Sequence, residues 1–213
     1  MLFRSEFRAK EVWNALQQMH PTKSLGPDSM SPIFFKNYWD IVGVEVVNCV
    51  LNALNSGCMP CGINDTFICL IPKVKSPQKI TEFRPISLCN VIYKIMSKIL
   101  ANRLKRILPV VIDESQSAFV PGRLIMDNVL VAFETMHCIN QRNKGKEALM
   151  AIKLDMSKAY DKVELAYLEA MMRKMGFHEK WISLIMMCVN VVSFSVLINN
   201  EPKGKIIPSR GLR

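Results

Sequence analysis

Asp155 closes the apolar run Leu149-Met150-Ala151-Ile152-Lys153-Leu154 and is followed by Ser157-Lys158-Ala159-Tyr160-Asp161-Lys162-Val163, which reads as the start of an amphipathic helix. A carboxylate at the mouth of a buried strand can hold a divalent cation against a phosphate, because hard cations take oxygen ligands and a helix starting just beyond fixes the loop. Aspartate is equally a good helix N-cap, and Asp161 with Glu164 three residues on fits a capping box. Both readings stand on this segment alone.

The elements that must position these groups follow from periodicity and turn residues. Apolar residues at Phe7, Val12, Leu16 and Met19 predict a short helix over residues 7–19, stopped by His20-Pro21. A turn-rich loop, Thr22-Lys23-Ser24-Leu25-Gly26-Pro27-Asp28-Ser29-Met30-Ser31-Pro32, leads into a long helix over residues 33–55 that Ser56-Gly57 ends. In the loop, Gly26-Pro27 reads as a turn and Asp28 as a cap for the following helix. Residues 66–71 and 83–88 read as two strands joined by a basic loop, a hairpin with a positively charged tip.

Residues 90–108 carry an apolar stripe (Ile92, Ile95, Met96, Ile99, Leu104, Ile107) and a second stripe of Lys94, Lys98 and Lys105, so one helix face packs and the other is wet. A polar loop over 113–123, a helix over 125–140 and a turn over 141–146 precede the strand that Asp155 terminates. Helices over 162–175 and 179–190 and strands over 191–198 and 205–207 complete the pattern, with Gly176 as a helix stop and Asn199-Asn200 as a turn.

Composition bounds the function. Half of the 213 residues are apolar, so the chain buries a core. No apolar run reaches membrane-spanning length without a charge or turn, and Arg4, Glu6 and Arg8 interrupt the N-terminus where a signal peptide is apolar. An intracellular protein of the cytoplasm or nucleus, without a membrane partner, is expected. The seven cysteines fit reduced thiols, with Cys49, Cys69, Cys138 and Cys188 inside apolar segments; Cys58-Met59-Pro60-Cys61 has zinc-knuckle spacing but no second pair, and reads as a helix exit. The net charge of +10 is local: nine basic residues between Lys73 and Arg106 stand against one acid, Glu82. Such a face suits a polyanion such as nucleic acid; a solvated lysine-rich helix explains the helix but not the missing acids.

Taken together, these segments resemble the reverse transcriptase domain of plant-type, non-long-terminal-repeat (LINE-type) retrotransposons over nearly the whole chain. Lys23-Ser24-Leu25-Gly26-Pro27-Asp28 resembles the family's Gly-Pro-Asp motif. Leu70-Ile71-Pro72-Lys73 with Phe83-Arg84-Pro85-Ile86-Ser87-Leu88 resembles the fingers hairpin, and Tyr93-Lys94-Ile95 through Arg103-Leu104 the helix after it. Ser115-Gln116-Ser117-Ala118-Phe119-Val120-Pro121-Gly122-Arg123 matches the next block and Leu154-Asp155 to Val163 the first palm motif. Ser209-Arg210-Gly211-Leu212-Arg213 resembles the opening of the block that follows. Each segment is weak alone; their order and spacing are specific.

The resemblance implies an α+β right-hand polymerase, with fingers over 1–148 and an incomplete palm over 149–213. It implies an RNA-directed DNA polymerase acting on an RNA template, a DNA primer and dNTP, with two Mg²⁺ in the complete domain. Asp155, with the Met156 carbonyl, would hold metal. Tyr160 would pack under the incoming sugar, and Arg84 and Lys73 would grip the triphosphate in a cleft shared with Asp155. Lys94, Lys98, Lys105 and Arg123 would contact the nucleic-acid backbone. From the residues alone, Tyr160 reads equally as helix packing and Arg84 as a surface ion pair with Glu82.

Leu25 and Ser29 depart from the family's usual Pro and Gly. The second palm motif, an aromatic-Ala-Asp-Asp hairpin, does not occur in the sequence. The chain is therefore expected to be a fragment that does not polymerise DNA alone; a non-catalytic basic RNA/DNA-binding module and a decayed retrotransposon remnant are the alternatives.

Overall fold

In the computed structural model, residues 3–141, 149–156 and 158–212 are described. Contacts divide the chain into one unit of residues 1–102 with 160–213 and another of residues 103–159. Among the described residues, eight α-helices and one four-stranded mixed sheet give the expected α+β class.

In the first unit, α1 (Ala9–Gln17) buries Val12, Ala15 and Leu16 on one face. The Arg8 amide, left over at the helix start, donates to Glu11 Oε2 at 3.0 Å. The single helix expected over residues 33–55 is two: α2 (Pro32–Asn37) and α3 (Trp39–Ser56), separated by Tyr38 at φ −107°, ψ 23°. No proline or glycine marks this break, so helical periodicity runs across it. The bend lets Trp39 lie against Trp13, ring centroids 5.0 Å apart. Gly57, left-handed at φ 75°, ends α3 as expected.

The sheet order is β2-β1-β3-β4. Strands β1 (Asp65–Pro72) and β2 (Phe83–Cys89) form the predicted antiparallel hairpin, with Ile71 opposite Arg84 and Ile68 opposite Ser87. A single-turn 3-10 helix, Ile80–Glu82, lies in the connection. Strand β3 (Ser193–Ile198) runs parallel to β1 from Asp65 opposite Ser193, where the Ser193 hydroxyl donates to Asp65 Oδ1 at 2.5 Å. Asn199 and Asn200, both at positive φ, turn the chain into β4 (Glu201–Ile206), which is exposed throughout and begins earlier than the strand expected at 205–207.

Helix α4 (Val91–Leu104) buries Val91, Ile95, Met96 and Ile99, all essentially inaccessible, as are Leu16 of α1 and Val50 and Leu54 of α3. Helices α7 (Leu165–Lys174) and α8 (Glu179–Asn190) pack through Met172, Ile182 and Met186. Cys188 is buried, whereas Cys58, Cys61 and Cys138 are exposed, so Cys138 is not the buried thiol its apolar surroundings in sequence suggested.

The second unit holds the four-residue helix α5 (Leu108–Val111) and helix α6 (Ile125–Gln141). Residues 149–156 form no strand, against expectation, and Met150, Ile152 and Leu154 are exposed. A strand needs a ladder to satisfy its amides, and the described residues of this unit contain none. Most of the turn expected over 141–146 lies outside the described residues. Among the described residues no helix is long and apolar enough to cross a membrane.

Truncating the core at Ile182→Ala is expected to cost about 2–5 kcal/mol in urea unfolding, because the site is closed on all sides. Ile41→Ser, at a 76% exposed position, should stay within about 0.5 kcal/mol.

Candidate functional site

The basic hairpin is the most sharply defined candidate. Lys73 extends the ladder by donating its amide to the Glu82 carbonyl at 2.7 Å, while its ammonium donates to the Thr81 carbonyl at 2.9 Å. The one acid of the stretch, Glu82, accepts the Gln78 and Lys79 amides on Oε2 at 2.6 and 3.2 Å. Its carboxylate is thereby turned onto the backbone of the connection. No ion pair with Arg84 forms, and Arg84 is exposed with no partner among the described residues. Because side chains alternate along a strand, Arg84 shares a face with Ile71 and Ile86, opposite to Pro85 and Ser87. Lys75, near the tip, is likewise exposed.

Lys94 departs from the simple wet stripe. Its ammonium donates to the Ser24 carbonyl at 2.5 Å, and burial, with help from Lys23, lowers its pKa from the usual lysine value. Lys94 thus ties the Gly-Pro-Asp loop to α4. Asn90 does so more strongly: its Oδ1 accepts the Asp28 amide at 3.1 Å and its Nδ2 donates to the carbonyls of Gly62 and Ile63, each at 3.2 Å. A Cβ on Gly26 would lie 2.4 Å from the Asn90 nitrogen, so only glycine fits there. Asp28 does not cap α2 as expected; its Oδ1 accepts the Met30 amide at 3.1 Å in a local turn, and Ser31 holds the cap position. Sequence reading found this loop but not Asn90, whose only signal is its place just before a strong helix.

Tyr160 opens a second 3-10 turn, Tyr160–Lys162, and is 58% exposed. The capping box expected of Asp161 and Glu164 is not formed: α7 starts later, with Glu164 at its N-cap making no side-chain cap bond. Main-chain pairing defines this turn, because Gly211 donates to the Val163 carbonyl at 2.8 Å and Leu212 to the Tyr160 carbonyl at 2.9 Å. Tyr160 is therefore not packed inside a helix, and its ring is accessible. A cavity of about 630 Å³ lies beside the turn, with Asp161, Arg210 and Gly211 in a lining dominated by apolar side chains of the sheet and α8.

In the second unit, Asp155 and Met156 are exposed, and Ser157 lies outside the described residues. A carboxylate and a main-chain carbonyl are hard oxygen donors of the kind Mg²⁺ accepts. No group of three ligating side chains occurs among the described residues, so Asp155 supplies one protein carboxylate only. Lys105 is exposed on this unit. Arg123 is structural: its guanidinium donates to the carbonyls of Asp113, Gln116 and Ile112 at 2.5, 2.6 and 3.2 Å, closing the 112–123 loop. Lys98, on α4, is half-buried.

Asp113 completes that loop by accepting the Ser115 hydroxyl and amide at 2.7 and 2.9 Å, which holds its carboxyl below the ordinary value of 3.8. A depressed folded pKa means that the stabilisation is present above 3.8 and lost as pH falls through the folded value. The Ser115 amide resonance is expected to titrate with an apparent pKa under 3.8, and Ser115→Ala to raise it. Separately, Asn90→Ala should destabilise the protein by about 1–3 kcal/mol in chemical unfolding, since three part-buried main-chain bonds are lost together.

Residues 71–213 match the family described as reverse transcriptase (RNA-dependent DNA polymerase). The chain is 30% identical over 203 residues to the Transposon TX1 uncharacterized 149 kDa protein of Xenopus laevis, covering 95% of this chain and 15% of that relative. It is 22% identical over 211 residues to the retrovirus-related Pol polyprotein from type-2 retrotransposable element R2DM of Drosophila melanogaster, covering 96% of this chain and 19% of that protein. The chain thus spans less than a fifth of the length of these curated relatives.

Proposed function

Because the chain belongs to the reverse transcriptase (RNA-dependent DNA polymerase) family, we propose that it is the nucleotide- and template-handling part of an RNA-directed DNA polymerase, binding an RNA template, a DNA primer and a dNTP. The observation that carries this reading is the exposed Arg84, unpaired among the described residues, on a basic hairpin whose connecting loop has one acid, Glu82, committed to backbone amides. A guanidinium in that setting keeps its planar fork available for bidentate contact with phosphate oxygens.

Arg84 binds the triphosphate of the incoming nucleotide, with Lys73 adding a point charge held by the Thr81 carbonyl. Tyr160, accessible on its turn, packs against the sugar and excludes a 2′-hydroxyl. Asp155, with the Met156 carbonyl, would hold Mg²⁺, of which the complete domain would use two. When bound, such ions neutralise phosphate charge and activate the primer hydroxyl. Lys105, exposed, contacts the nucleic-acid backbone, and Lys98, half-buried on α4, adds its charge to the same stretch. Lys94 and Arg123 act by shaping the loops that their carbonyl bonds hold, with their charge adding to the local field. Such contacts carry no base specificity and weaken with salt.

Binding to a labelled RNA–DNA hybrid, followed by anisotropy, is expected to fall steeply with salt. Lys75→Glu with Arg84→Glu should reduce the log–log slope by about 2, roughly one per lost phosphate contact. An unchanged slope refutes the hairpin's role. With Asp155 as its one candidate metal carboxylate, the 213-residue chain is expected to give no template-dependent primer extension with Mg²⁺ or Mn²⁺. Product that Asp155→Asn abolishes would overturn that expectation.

A further inference from the structure

We infer that Gly211 is a positioning residue for Tyr160, setting how strictly the chain discriminates deoxyribose from ribose; the inference rests on the proposed contact of Tyr160 with the sugar. Residues 160–164 and 210–212 lie side by side as a short antiparallel pairing, marked by the bridge between Glu164 and Arg210. Two main-chain bonds bracket the Tyr160–Lys162 turn, from Gly211 to the Val163 carbonyl and from Leu212 to the Tyr160 carbonyl, at 2.8 and 2.9 Å.

The approach is tighter than a Cβ ordinarily accepts. A Cβ at position 211 would lie 3.1 Å from the Asp161 carbonyl oxygen and 3.2 Å from its Cα, both backbone atoms that cannot rotate away. Gly211 also sits at φ +91°, where an L side chain is strained. An alanine here must push the two segments apart by a few tenths of an ångström, which loads the two bonds to the Val163 and Tyr160 carbonyls. A 3-10 turn of three residues has little internal hydrogen bonding, so this external clamp fixes the direction of the Tyr160 side chain. Without it the ring keeps its chemistry but loses its fixed place.

Gly204 provides the matched control. It has φ +68° and nothing within 4 Å of a Cβ, so Gly204→Ala imposes the backbone strain without the collision. The test is equilibrium dialysis of the full 213-residue chain with Mg²⁺ and radiolabelled dATP or ATP, with folding followed by circular dichroism. Gly211→Ala is expected to lower the dATP-to-ATP preference by about two- to tenfold, the range that follows from losing one hydrogen bond's contribution to placement. Tyr160→Ala should lower it further, and Gly204→Ala should leave it unchanged.

A folded Gly211→Ala that keeps the full preference, beside a Tyr160→Ala that loses it, overturns the inference alone. Equal binding of the two nucleotides by the unmodified chain, or a preference that Tyr160→Ala leaves intact, overturns the sugar reading itself. Should Gly211→Ala fail to fold, amide exchange of the unmodified chain decides the matter. Protected Gly211 and Leu212 amides that slow further with dATP but not ATP support the clamp, and exchange unaffected by either nucleotide rejects it.

Discussion

The parallel pairing of β1 with β3 is the contact on which the first unit depends. Asp65 and Ser193 are 128 positions apart, and their side chains meet at the start of the ladder. That ladder joins the hairpin that carries Arg84 to the polypeptide that carries Tyr160 and Gly211. A second tie backs it, since the buried Asn64 amide donates to the Cys188 carbonyl at 3.0 Å and the Tyr93 hydroxyl donates to the same oxygen at 3.2 Å. Closing a loop of this length costs chain entropy that the two local hairpins do not, so this pairing is the sheet's most demanding contact to form.

The hairpins themselves were legible because each has a local cause. β1 and β2 are short apolar runs bounded by turn formers, and Asn199-Asn200 supplies two residues that tolerate positive φ. Helices α4, α7 and α8 announced themselves by apolar period and by Gly176 at a helix end. What sequence could not show was set by distant partners. The break at Tyr38 answers to Trp39 meeting Trp13, and the Leu149–Leu154 run has strand composition without a ladder to join. Composition says which backbone conformation is comfortable; only a neighbour supplies the hydrogen bonds.

The candidate site divides in the same way. Residue types with unmistakable chemistry, Asp155, Arg84 and Tyr160, were found from motif and order. Residues that act through a second segment were not: Asn90 joins the Asp28 loop to Gly62 and Ile63, Gly211 lies against the Tyr160 turn, and no local pattern encodes either approach. Charge was read too simply as well. Counting lysines along α4 treats every ammonium as solvated, yet Lys94 reaches a carbonyl, and Arg123, a long side chain with five donors, is consumed in closing its own loop. Conversely, the single acid near Arg84 counted against a free cation until its carboxylate was seen to serve two backbone amides.

Both outer strands of the sheet contain a proline, Pro85 in β2 and Pro202 in β4. A proline has no amide hydrogen to offer, and it is tolerated in a sheet where that hydrogen would have pointed away from the existing partner. Each rim therefore presents an interrupted row of donors, and on β4 Lys205 adds a charge to the edge, Lys203 being paired with Glu201 at 2.6 Å. The break in each row of donors makes either flank a poorer template for edge-to-edge pairing between two copies of this molecule than an uninterrupted strand would be.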